Sequence, residues 1–338
     1  MKHVSTSSTG DSSIGGHDEQ RFIPGLIGDG RPLIAFTRLA LLLSGLFAFF
    51  LSATKHFLPH DIAYLGMTAD ALCGINECRI VHFMIHDRVS FGGAIAAVGV
   101  LYLWLAAFPL KEREPWAWWT LVVSGLIGFG SFLSYLGYGY LDTWHGCATA
   151  ALLPVFLIGM WKLHSELPRS RPAGLLRPQT PCDHSTWPGR GRLLLLTTAA
   201  SIALGGLVIS IIGATSVFVP QDLTYMNITV AKLNAINPRL VPLIAHDRAG
   251  FGGGVCCCGV TMFLCLWCGR WQKSLWDAVA IAGTLGFATA VFIHPVVGYN
   301  DTVHLAPAVF GLTLFVAGIL LSSRSSEPQQ TQTGVPPP

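Results

Sequence analysis

RIVHFMIHDRVSFGG at residues 79–93 returns half a chain later as RLVPLIAHDRAGFGG at residues 239–253. Each version sets a triplet, His86-Asp87-Arg88 or His246-Asp247-Arg248, just ahead of Phe-Gly-Gly and an apolar run. The likeness extends outward on both sides. Pro59-His60-Asp61 matches Pro220-Gln221-Asp222, Tyr64 matches Tyr225, and Ile75-Asn76 matches Ile236-Asn237. Downstream, Gly139-Tyr140, Asp142 and His145 match Gly298-Tyr299, Asp301 and His304. Self-similarity over this length predicts a tandem duplication.

Composition then decides the solvent. Hydrophobic residues make up 51% of the 338-residue chain and charged residues only 12%, with a mean hydropathy of +0.53. That balance is too apolar for a soluble globular chain and predicts an integral membrane protein whose partner is the lipid bilayer. A net charge of +3, spread over short loops, argues against a nucleic-acid partner.

Apolar runs fall at about 34–55, 89–110, 116–140 and 146–163, and again at about 193–217, 249–268, 275–297 and 303–322. Each approaches the ~20 residues that a helix needs to cross the hydrocarbon core. The expected fold is therefore all-α, with eight transmembrane helices as two tandem four-helix repeats in parallel topology. Residues 31–163 and 193–322 form the repeats, 164–192 a Pro- and Arg-rich linker, and 1–30 and 323–338 disordered tails. Of the 21 Lys and Arg residues, 15 fall in the N-terminal stretch through Arg38, the 162–192 stretch, the loops at 110–115 and 269–274, and the C-terminal tail. The positive-inside rule makes that side cytoplasmic, with both termini, in a bacterial-type inner membrane. The stretches 61–87 and 222–247 are too interrupted to span and read as interfacial or re-entrant helices on the opposite face.

Of the nine cysteines, Cys256, Cys257, Cys258, Cys265 and Cys268 lie along one apolar segment, where thiols ordinarily pack. Cys73 and Cys78 share the exofacial loop and are expected to form a disulfide. Trp116, Trp118, Trp119, Trp271 and Trp276 sit where spans meet the cytoplasmic interface and read as belt anchors.

The chemistry is expected where the duplicated polar residues gather. One candidate cluster comprises His82, His86, Asp87, Arg88, Asp142 and His145; the other comprises His246, Asp247, Arg248, Asp301 and His304. Ionisable groups at membrane depth are expensive and default to a functional reading. Two imidazoles and a carboxylate suit a divalent transition metal, with His86, Asp142 and His145 in one half and His246, Asp301 and His304 in the other as ligands. Haem is an alternative, with His86 opposite His145 and His246 opposite His304 as axial pairs. A transporter or channel of parallel repeats, handling a small molecule or ion, and a purely structural ion-pair network are the others. His60 and His82 lack histidine counterparts and would favour the first half if only one were active. His294 also lacks one and reads as a lone satisfied histidine. None of these blocks matches an established catalytic signature such as His-Glu-x-x-His.

Overall fold

Residues 28–54, 57–133, 140, 143–168, 171–180 and 182–323 are described by a computed structural model. Among them every regular element is helical. The order is α1 (Arg31–Ala53), α2 (Pro59–Leu65), α3 (Ala69–Asn76), α4 (Arg79–Ala107), α5 (Pro115–Leu133) and α6 (Thr143–Glu166). After a 3-10 turn at Pro172–Leu176 come α7 (Trp187–Ala214), α8 (Pro220–Met226), α9 (Val230–Ile236), α10 (Leu240–Cys268), α11 (Lys273–Val297) and α12 (Thr302–Ser323). The sequence of long and short helices before the linker is thus the sequence after it.

Eight of these helices are long and apolar enough to cross a membrane, the architecture of a multi-pass membrane protein. Phe36, Leu39, Leu43 and Phe47 stand exposed along α1, as Leu204, Leu207 and Ile211 do along α7. Water would not tolerate such continuous apolar faces, whereas lipid does. The centre belongs to α4 and α10, whose apolar windows are 89% and 67% buried against 17% for α1.

The short helices are set by local chemistry repeated on the two sides of the linker. Pro59 and Pro220 occupy the first turns of α2 and α8, where a missing N–H costs nothing. Two residues on, Asp61 and Asp222 accept the backbone N–H of Leu58 and Val219 at 3.2 and 2.8 Å. Thr68 and Thr229 then cap α3 and α9 through their hydroxyls.

Two expectations about the spans need correction. The second span of each set begins about ten residues earlier than hydropathy indicated, at Arg79 and Leu240 instead of 89 and 249. Both His-Asp-Arg triplets therefore lie inside a continuous helix, and the re-entrant stretches reduce to the short helices before it. Their polar side chains lowered the apparent hydropathy, yet they face inward and pair with one another.

Nor do the halves pack as self-contained four-helix sets. α5 lies against α10, and α11 lies against α4, whereas the sequence neighbours α10 and α11 barely touch. Phe-Gly-Gly explains the exchange. A methyl on Gly92 would sit 2.8 Å from the carbonyl of Gly45 on α1, and one on Gly93 would overlap Thr289 on α11. At the second copy, Gly252 meets Gly206 on α7 and Gly253 meets Ser131 on α5. The first glycine of each pair admits the span of its own half; the second admits one from the other half.

The triplet ends are capped by a buried layer to which both halves contribute, including Leu72, Phe83 and Tyr140 with Met226, Leu233 and Tyr299. Asn76 donates to the carbonyl of Met226 at 3.0 Å, and Asn237 donates to that of Leu65 at 2.8 Å. Cys73 and Cys78 are joined by a disulfide, as expected. At the opposite end the linker folds back: Arg192 donates to Leu266 and Thr180 carbonyls, and Trp187 opens α7 ahead of the expected start at 193. Most of both expected tails lies outside the described residues.

Candidate metal centre

The site grows from His86. As the second turn of α4 ends, His86 and Asp87 are adjacent and buried, with Nδ1 2.9 Å from Asp87 Oδ1. A carboxylate on Nδ1 holds the proton there and leaves Nε2 as a lone pair. That lone pair does not face the first half. His86 Nε2 stands 3.2 Å from Nε2 of His294, near the end of α11, because α11 has crossed over to pack on α4.

His304, in the first turn of α12, completes the group. Its ring centroid lies 5.5 Å from that of His86 and 5.4 Å from that of His294. One ligand atom from each of the three imidazoles lies within 4.8 Å of the others. Behind His304 the rings of Tyr299 and Tyr225 continue a stack, each 4.4 Å from the next. Phe251 meets His86 edge-on at 6.5 Å.

Around the imidazoles runs a charge network crossed between the halves. Arg88 binds Asp61 of its own half and Asp247 of the other, both at 2.8 Å. Arg248 binds Asp222 of its own half and lies 3.7 Å from Asp87 of the other. Tyr140 donates to Asp61 at 2.6 Å and Tyr299 to Asp222 at 2.7 Å. Burial, with Asp222 beside it, raises the pKa of the Tyr299 phenol far above its ordinary range, so it stays a donor. The guanidinium of Arg248 also lies over the ring of Phe83 at 5.0 Å.

The expected clusters are thus redistributed. Among the described residues His86 joins His294 and His304 of the other half, so His304 is next to His86. His246 keeps the same carboxylate contact, Nδ1 to Asp247 Oδ1 at 3.1 Å, but its ring meets Tyr140 edge-on at 5.0 Å. Asp301 caps α12 by accepting the backbone N–H of His304 at 2.7 Å and is not part of the three-imidazole group. His82, in the first turn of α4, is not part of it either. Asp142 and the His145 side chain lie outside the described residues.

Sequence reasoning missed five participants. Asp61, Asp222, Tyr140 and Tyr299 carried a usable signal, since each recurs at the matching position of the other half. His294 carried none, having no counterpart.

A cavity of about 570 Å³ opens beneath the imidazoles. Its walls come from α4, α7, α10, α11 and α12 and are mostly apolar. His86, His294, His304 and Arg248 close its polar end.

Compared with family models, with curated proteins and with solved structures, the chain matches none. Function therefore has to be argued from the site itself.

Proposed function

We propose that the chain is a tandemly duplicated membrane protein with both termini cytoplasmic, and that it holds one divalent transition-metal ion between His86, His294 and His304. One observation carries the reading: three imidazoles from three helices bring ligand nitrogens within 4.8 Å of one another beside an apolar cavity. The 3.2 Å between His86 Nε2 and His294 Nε2 is close to the roughly 3.3 Å edge of a tetrahedron built on 2.0–2.1 Å metal–nitrogen bonds. Asp87 on His86 Nδ1 is the support that a metal-bound imidazole ordinarily carries.

Charge supports the same conclusion. The described network sets Arg88 and Arg248 against Asp61, Asp87, Asp222 and Asp247, an excess of two negative charges when the imidazoles are neutral. Uncompensated charge is costly at this depth, and a divalent cation balances it. Three protein ligands would leave the ion able to take a further ligand from the cavity that the imidazoles line. There the ion would act as a Lewis acid on an oxygen of whatever enters. Haem finds less support, because imidazoles this close leave no room for a porphyrin between them.

Elemental analysis of purified protein tests the proposal. One equivalent of a first-row transition metal is expected, without a Soret band, falling to background in His294→Ala. Metal-free wild-type protein, or full occupancy in His294→Ala, would overturn it.

A further inference from the structure

The cavity beneath the imidazoles has the shape of an elongated ligand. It follows α11 from Ala282 to His294, about 18 Å of helix at 1.5 Å per residue. Along that path the lining includes small side chains, Ala282, Gly286 and Ala290 on α11, Gly205 on α7 and Gly311 on α12, beside larger apolar ones such as Ile202 and Phe287. A methyl added to Gly286 or Gly205 would meet nothing within 4 Å, so the space is open.

The opening follows from how α7 and α12 meet. They touch closely at one end, where a methyl on Gly191 would lie 2.7 Å from the Gly318 carbonyl. Nearer the imidazoles the cavity lies between them, and its lip includes Val208 and Val303, which are 54% and 67% exposed. An apolar lip on a lipid-facing surface admits molecules from the bilayer, not from water.

A second observation concerns the polar end. Ser90, one turn along α4 from His86, lines the cavity and is 3% exposed. Its hydroxyl has no hydrogen-bond partner among the described residues. Buried hydroxyls are ordinarily satisfied, so an unpaired one facing a cavity marks the place of a ligand's polar atom. With the imidazoles and Arg248 at the same end, that atom is an oxygen.

The geometry points to a binding site for a single-chain amphiphile of the bilayer, its apolar tail lying along α11 and its oxygen-bearing head against Ser90 and His86, His294 and His304. The seat of the head rests on the metal reading; the tail groove does not. Fatty acids and isoprenoid quinones share this chemistry and are the two sources to separate.

Photolabelling of the full-length protein in its own membranes tests the site. One arm uses a fatty acid with a diazirine at the tail end, the other an isoprenoid quinone analogue with the same group at its tail. Labelled peptides from the Ala282–Phe287 stretch are expected with one or both probes, and the more efficient probe identifies the source. Gly286→Phe and, independently, Gly205→Leu fill the groove; each should lower that labelling at least tenfold while metal content is unchanged. His294→Ala should remove metal while leaving the tail label in place. Label confined to outward-facing residues, or groove label indifferent to both fillings, overturns the inference. Groove label in a wild-type protein that carries no metal would sink the metal reading and leave the amphiphile site standing.

Discussion

The surroundings of His86 and of His246 begin from the same six residues and end as different places. Each imidazole sits on the carboxylate that follows it, and each carboxylate faces the arginine of the other half. The difference lies in what the third span of the opposite half delivers. α11 brings His294 to His86, whereas at the matching distance before Gly139 the sequence has Tyr135, and His246 meets Tyr140. Among the described residues, three imidazoles gather at the first place, and the charge network surrounds both. Ion pairing and ligand assembly are therefore separable here, and the shared part should be structural.

The arginines test that separation most forcefully. Arg88→Met and Arg248→Met each strand buried carboxylates, and each should cost about 3–5 kcal/mol in thermal denaturation. A cost below about 1 kcal/mol in only one of them would show that the networks are not equivalent. Metal affinity should split the two places instead. His86→Ala is expected to weaken binding about a hundredfold, near 2.7 kcal/mol, and His246→Ala to leave it unchanged. Equal losses in a competition titration would make the comparison false.

Smaller effects probe the crossing. Gly93→Val and Gly253→Val force a side chain onto Thr289 and Ser131, and each should destabilise by about 2 kcal/mol through overpacking. Asn76→Ala and Asn237→Ala each remove one bond between the capping layers, worth about 1 kcal/mol; a double mutant that loses no more than either single one would show the two bonds are coupled. The weakest effect is alkaline. Burial raises the phenol of Tyr225 to about 12. Its contribution to stability should be complete below pH 10 and decline as pH rises from 10 to 12, the range between its unfolded and folded values. Tyr225→Phe should remove that part of the alkaline decline when unfolding is followed against pH.

How much of this could be read beforehand depends on which physical signal each feature leaves. Eight spans were legible because lipid demands about twenty apolar residues at each crossing, and the linker because prolines interrupt helices. The starts of α4 and α10 were not, since a sliding hydropathy cannot tell a solvated arginine from Arg88 paired with two carboxylates. The recurring stretch flagged His86, Asp87 and Arg88, and recurrence would have flagged Asp61 and Tyr140 had theirs been weighed as heavily. The crossing of α5 and α11 was illegible, since both internal and exchanged packing satisfy the same periodicity. With it went the grouping of His86 with His294 and His304, which joins residues 208 positions apart.

That separation also sets an order of events at the ribosome. His86 emerges long before α11, and at roughly 5–20 residues per second the wait is about 10–40 s. Throughout it α4 has α1 beside it but no occupant for the face that Gly93 keeps open. Because His304 opens the last span, the three imidazoles of the proposed site can come together only once that span is being made, so any loading of it would follow synthesis of nearly the whole described fold.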